Sequence, residues 1–204
     1  MTGFRKLDET EITRGPVITV GLARFTAPDG TVFERQVVHH PGAVVVVPLI
    51  RPGVVVLVRQ FRAAVGSELL ELPAGKRDVD GEPPETTAAR ELAEEIGYRP
   101  GRLHLLARFY NSPGFSDELS HLYLAEDLDP VGREAAGIEE GHMSVHEIDL
   151  DDVPGLIARG EIIDAKTIIG LALTRERLAT AAGGSGAPAR RRSRGVGGPA
   201  GNET

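Results

Sequence analysis

Residues 73–98 read PAGKRDVDGEPPETTAARELAEEIGY and constrain the fold more tightly than any other stretch of the chain. Three carboxylates fall at Glu91, Glu94 and Glu95, at the i,i+3 and i,i+4 spacings that share one side of a helix. Ala89, Leu92, Ala93 and Ile96 keep the apolar spacing expected of the opposite side. The pattern predicts a helix over 84–96 with one side built to pack and the other to gather negative charge. Gly97 stands where a C-terminal glycine stops a helix. Like charges one turn apart cost a helix a few tenths of a kcal/mol per pair. A bound hard cation turns that repulsion into ligation, and magnesium commonly bridges protein carboxylates to phosphates. Without such a ligand the same cluster is an ordinary solvated face.

The flanks separate these two readings. A glycine-containing loop, Pro73-Ala74-Gly75, precedes the helix, and Glu82 stands eight residues before Arg90. The segment resembles the Nudix box, G-x5-E-x7-R-E-U-x-E-E-x-G-U with U aliphatic. Glu82, Arg90, Glu91, Leu92, Glu94, Glu95 and Gly97 match it in type and spacing. Two positions depart: six residues rather than five separate Gly75 from Glu82, and Tyr98 replaces the final aliphatic residue. The resemblance implies an α/β/α sandwich with a mixed sheet and metal-assisted hydrolysis of a nucleoside diphosphate linked to another group. It implies Glu91 and Glu95 as the main ligands of Mg2+, with Mn2+ as the alternative. Glu94 is a third candidate ligand, through a water or a second metal, and the main-chain carbonyl of Ala74 a further one. Arg90 would orient the carboxylates as a planar guanidinium, and Glu82 is at least as consistent with a structural contact as with catalysis.

The rest of the chain reads as an α/β protein. Val17 to Phe25 and Thr31 to Val38 alternate around Pro28-Asp29-Gly30, a hairpin signal. Strands are predicted at 43–50, 54–62, 68–72, 103–110, 119–124 and 143–148. A helix is predicted from Asp151 or Asp152 to before Gly160, and another over 165–178. This divides the chain into an N-terminal β-strand region (1–40), the main domain (41–180) and a Gly/Pro/Arg-rich tail (181–204) expected to be disordered. Residues 181–204 hold Arg190, Arg191, Arg192 and Arg194 against Glu203, a net of +3, which leaves −10 on residues 1–180 of the total −7. Such an acidic body argues against broad nucleic-acid binding, so no specific nucleic acid is expected. No apolar run reaches the length of a membrane span. There is no cysteine, which excludes disulfides and thiolate chemistry. With no signal-peptide core at the N-terminus, a cytoplasmic location is expected.

Substrate class is approached through Tyr110-Asn111-Ser112-Pro113-Gly114-Phe115-Ser116-Asp117-Glu118. By composition this is a turn. Its proline lies fifteen residues after Tyr98, and in that position S-P-G-x-x-x-E looks like the ADP-ribose pyrophosphatase branch of the family. The branch implies Pro113, Gly114 and Glu118 at the substrate, a rigid loop holding the Glu118 carboxylate against ribose hydroxyls. Val58-Arg59-Gln60-Phe61-Arg62 is similar to the branch's Q-[YF]-R strand, which marks Arg62, and with it Arg59, as substrate-binding candidates, although each could be a surface charge. Asp164-Ala165-Lys166-Thr167 is similar to its C-terminal segment. The branch also implies a homodimer in which the N-terminal strands pack across the partner. Its water-activating group comes from a loop after the box, here Gly137-Ile138-Glu139-Glu140-Gly141-His142. Glu140 aligns best and Glu139 second, while His142 offers a base suited to neutral pH. The expected reaction is hydrolysis of ADP-ribose to AMP and ribose 5-phosphate. Alternatives are another nucleoside diphosphate sugar, such as ADP-glucose or GDP-mannose, or a sensor that binds ADP-ribose without cleaving it.

Overall fold

The computed structural model describes residues 3–133 and 141–182. Its first unit is an antiparallel three-stranded sheet of β1 (Arg5–Arg14), β2 (Thr19–Thr26) and β3 (Val32–His39), paired in that order. The second unit begins with β4 (Ala43–Arg51), β5 (Val54–Arg62), β6 (Ser67–Glu71), β7 (Ala74–Lys76) and α1 (Pro84–Ile96). It continues through β8 (Tyr98–Tyr110), β9 (Leu119–Pro130), β10 (Ser144–Asp149), α2 (Val153–Ala158) and α3 (Ala165–Ala182). Its seven strands form a mixed sheet in the order β10-β5-β4-β9-β8, with β6 on β5 and β7 on β4. Only β4 and β9 run parallel.

The central strands are apolar without interruption because both faces of the sheet are covered. Val45, Val47, Val55 and Leu57 face one core, closed by Leu171 and neighbouring residues of α3. Val44, Val46, Val56 and Val58 face the other, closed by Ala88, Leu92 and Ile96 of α1. Each of these side chains contributes about 1.5–3 kcal/mol on burial. The expected α/β/α sandwich is therefore the architecture observed. Gly170 lets α3 lie close to the sheet: a Cβ there would meet Leu72 Cδ1 at 2.5 Å and Leu122 Cδ1 and Val47 Cγ2 at 3.1 Å. Alanine would gain up to about 1 kcal/mol of helix propensity, but overpacking costs about 1–3 kcal/mol, so the close approach favours glycine.

The sheet is not continuous, and its opening positions the site. β4 and β5 pair only next to their hairpin, at Leu49↔Val55 and Arg51↔Val54. Beyond that they part, β5 taking up β6 through residues 58–62 and β4 taking up β7 through residues 43–45. The split delivers β7 to α1.

Several elements differ from the sequence reading. β1 was not anticipated as a separate strand, because its RKLDETEITR sequence is charged on both faces and almost wholly exposed. Pairing with β2 holds it, with the Arg24–Asp8 ion pair linking the two strands. β8 starts at Tyr98 rather than Leu103, since Pro100-Gly101, which looks like a turn, pairs instead with the far end of β9. The faces of α1 also need correction. Ala88, Leu92 and Ile96 form the packing ridge, Glu91 and Glu95 are buried beside it, and Ala89 and Ala93 are only half-buried. The i,i+4 spacing fixes which residues share a ridge but not which ridges the body covers. Gly97 ends α1 as predicted, at φ 75°, its N–H reaching the Ala93 and Leu92 carbonyls.

Candidate active site

β7 and the middle of α1 meet with no space between them. A Cβ on Gly75 would lie 1.8 Å from Glu91 Cδ and 2.0 Å from Glu91 Oε1, so only glycine accommodates the carboxylate there. One residue earlier, the Ala74 amide donates to Glu95 Oε2 at 3.1 Å. Glu91 and Glu95 are 7% and 3% exposed, so two carboxylates one helical turn apart sit inside the protein against a glycine loop. The extra residue between Gly75 and Glu82 is taken up in the turn before α1, where Gly81 has φ 74° and the Glu82 amide donates to the Val79 carbonyl. It leaves the Gly75–Glu91 contact in place.

Arg90 ties the acidic cluster together. Its Nη1 lies 2.9 Å from Glu91 Oε1 and 3.0 Å from Glu94 Oε2, and its Nη2 lies 3.7 Å from Glu82 Oε2. Burial works against the Arg90 charge, but Glu91, Glu94 and Glu82 outweigh it and raise its pKa above the ordinary arginine value. Glu82 accepts a hydrogen bond from the Thr87 hydroxyl at 2.7 Å, which gives it a structural contact at the helix start.

These groups line a cleft of about 480 Å³, a size suited to a small-molecule ligand. Arg62 enters from β5, its Nε 2.7 Å and Nη2 2.6 Å from Glu71 Oε2. Glu71 is 2% exposed and also accepts from Gln60 Nε2 at 2.9 Å. Burial opposes the Arg62 charge, but Glu71, with Glu95 and Asp164 nearby, raises its pKa. Lys166 reaches the cleft from the first turn of α3, its Nζ 2.6 Å from Asp164 Oδ1. Asp164 also accepts the Thr167 amide at 2.8 Å and hydroxyl at 2.7 Å. Burial pushes the Asp164 carboxyl up, but Lys166 and Thr167 together hold it below its ordinary value. The Thr167 hydroxyl in turn accepts the Leu72 amide at 2.9 Å, fixing α3 to the strand that leads into the Gly75 loop.

Of the residues singled out from sequence, the cleft brings together Ala74, Arg90, Glu91, Glu94, Glu95, Arg62 and Glu118. Arg59 does not line it: successive strand residues alternate, and Arg59 points away from the face shared by Gln60 and Arg62. Pro113 and Gly114 lie in the exposed turn of the β8–β9 connection, outside the lining of the cleft. Glu139 and Glu140 fall outside the described residues, as does the tail from residue 183, and His142 is exposed beside the undescribed segment. His40, Gln60, Glu71, Lys76 and Lys166 were not foreseen in the site. The Asp164-Ala165-Lys166-Thr167 segment stands out in the sequence for its resemblance, and its Asp-x-x-Thr capping pattern is a second pointer to the position of Lys166.

The donor set suits a hard divalent cation. It consists of oxygen atoms only, two of its carboxylates are buried, and a main-chain loop abuts them. Among the described residues no three His, Cys, Asp or Glu side chains converge as a ready-made cage, and the Arg90 guanidinium bridges Glu91 and Glu94.

Residues 39–169 match the NUDIX domain. The chain is 38% identical over 163 residues to the ADP-ribose pyrophosphatase of Bacillus subtilis (strain 168), covering 80% of this chain and 88% of that protein. It is 37% identical over 168 residues to the ADP-ribose pyrophosphatase of Mycobacterium tuberculosis (strain ATCC 25618 / H37Rv), covering 82% and 81%. Its fold superimposes on the crystal structure of an ADP compounds hydrolase with a TM-score of 0.76 at 23% identity, covering 87% of this chain and 95% of that one.

Proposed function

The chain belongs to the NUDIX family, and from that premise we propose that it hydrolyses the pyrophosphate bond of ADP-ribose, releasing AMP and ribose 5-phosphate. One observation carries the substrate reading: Glu118, at the end of the Ser112-Pro113-Gly114 segment, lines the same cleft as Glu91 and Glu95. The two ADP-ribose pyrophosphatases that the chain matches over about four-fifths of its length support it.

Hydrolysis needs the diphosphate charge neutralised, a water deprotonated, and the two aligned. Arg62, braced by Glu71, and Lys166, braced by Asp164, supply fixed positive charge to the diphosphate. Glu118 accepts hydrogen bonds from the ribose hydroxyls. Glu91, Glu95 and Glu94, with the Ala74 carbonyl, would hold Mg2+, with Mn2+ as the alternative. When bound, such a cation polarises phosphate oxygens and lowers the pKa of a coordinated water. Arg90 keeps the carboxylates oriented. Glu140 takes the proton from the attacking water, with Glu139 and His142 as the other candidates.

The test is AMP release, read by chromatography, from ADP-ribose, ADP-glucose and GDP-mannose with Mg2+. ADP-ribose is expected to be fastest, and turnover of another sugar nucleotide without ADP-ribose would overturn the substrate reading while keeping the chemistry. In the same assay Glu140→Gln is expected to lower kcat by about 10²-fold with KM little changed. An unaltered kcat would move the role to Glu139 or His142.

The protein is further proposed to act as a homodimer. Phe4, Leu7, Ile12, Ile18 and Val32 are exposed on or beside the three-stranded sheet, apolar surface that a partner subunit would cover. A monomer mass in light scattering would remove the dimer.

A further inference from the structure

A single histidine joins the three-stranded sheet to the loop that carries Glu118. His39, the last residue of β3, has Nδ1 2.6 Å from Asp117 Oδ2 and Nε2 2.6 Å from Glu9 Oε1. A neutral imidazole has one N–H and one lone pair, so only the imidazolium donates to both carboxylates. The other Asp117 oxygen accepts the His40 amide at 2.9 Å. Two main-chain bonds run beside it, from the Val38 amide to the Phe115 carbonyl at 2.7 Å and from the Asp117 amide to the Val38 carbonyl at 3.1 Å. Asp117 directly precedes Glu118.

The second carboxylate arrives from two strands away. Glu9 lies on β1 and must cross β2 to reach β3. It crosses at Gly21, where a Cβ would stand 1.9 Å from Glu9 Oε1. Gly21 has no positive φ, so its lack of a side chain serves space and not backbone conformation. Lys6 bonds Glu9 as well. The charged groups around the ring are therefore Glu9 and Lys6 from β1 and Asp117 from the loop.

We propose that His39 is a positioning residue: clasped as an imidazolium between Glu9 and Asp117, it fixes the 111–118 loop so that Glu118 faces the cleft, and its deprotonation loosens that loop. The hydrogen bonds from Asp117 and then Glu9 raise the pKa of His39 above the ordinary histidine value. A group raised on folding contributes fully below its unfolded pKa and loses that contribution as pH climbs through the folded one. The clasp is thus closed below the ordinary histidine midpoint and opens as pH climbs past it through the raised midpoint of His39. The consequence for substrate affinity rests on the ADP-ribose reading, whereas the clasp itself does not.

The experiment is a pH titration by NMR of the His39 ring nitrogens and the Glu118 amide, run beside KM and kcat for ADP-ribose. In the unaltered protein both ring nitrogens should remain protonated above the ordinary histidine midpoint, with the Glu118 amide shifting at the same midpoint. Gly21→Ala, which displaces only Glu9, should lower that midpoint. Below the His39 midpoint, His39→Gln should raise KM about tenfold, the scale of the one charge-assisted hydrogen bond that reaches the loop at Asp117, and abolish the step in KM above that midpoint while leaving kcat within a few-fold. A His39 midpoint at or below the ordinary value, a Glu118 amide blind to it, or a KM profile unchanged in His39→Gln would each overturn the proposal. Absence of ADP-ribose turnover would count against the substrate reading alone, because the two NMR signals still decide the clasp.

Discussion

Glu95→Gln is expected to lower ADP-ribose turnover by about 10³-fold without destabilising the protein. The substitution keeps the shape of a residue that is 3% exposed and leaves an amide oxygen to accept the Ala74 N–H, now 3.1 Å from Glu95 Oε2. What it removes is charge. A cation contributes several kcal/mol of transition-state charge stabilisation, and about 1.4 kcal/mol corresponds to a factor of ten, which sets the size of the loss. Metal-free stability should change little. Glu91 and Glu95 are like charges one turn apart, and relieving their repulsion favours the variant, but the variant also gives up the attraction between Glu95 and Arg62. The metal-free variant should therefore melt close to the temperature of the unaltered protein, and the rise in Tm that Mg2+ gives the latter should vanish. Thermal melts with and without Mg2+, beside the AMP assay, read both effects. Full activity with an unchanged Mg2+ response would remove Glu95 from the metal site.

The elements legible in the sequence are those whose signal is local. The apolar run at 43–50, the alternation around Pro28-Asp29-Gly30 and the glycine stop at Gly97 each carry their physical cause within a few residues. The acidic helix was legible in extent, but its orientation was not: Glu91 and Glu95 look like a solvent face until β7 is laid against them. Site residues followed the same division. Glu91, Glu95 and Arg90 belong to one spaced motif. Glu71 looks like any strand-end carboxylate, and its hold on Arg62 exists only because β6 pairs with β5. Lys166 reaches the cleft because the Thr167–Leu72 bond docks α3 there. Arg62 ranks ahead of Arg59 by its place in the strand motif, and strand alternation supplies the physical reason. The His39 clasp had one faint signal, an isolated glycine at position 21 within a strand, which often marks a close approach by another group.

Gly75→Ala should cost activity through sterics alone, by about 10²-fold, the scale expected when a reacting group is displaced by an ångström. Gly75 lies in β7 opposite Val44 and has no positive φ, so alanine meets no conformational penalty. Its methyl group would instead stand 1.8 Å from Glu91 Cδ and 2.3 Å from Cγ. The whole end of the side chain must leave, and a residue 7% exposed has little free volume to receive it. Moving Glu91 also withdraws one of the two partners of Arg90 Nη1, at 2.9 Å, and leaves Glu94 at 3.0 Å as the other, so the guanidinium is less firmly oriented. Weakened Mg2+ binding by calorimetry, with a circular dichroism spectrum like that of the unaltered protein, is the expected pairing. Because both changes act on one carboxylate, Gly75→Ala combined with Glu91→Gln should be little worse than Glu91→Gln alone, a non-additive result characteristic of residues in contact. Additive losses in that double variant would mean that Gly75 serves the reaction by a route other than Glu91.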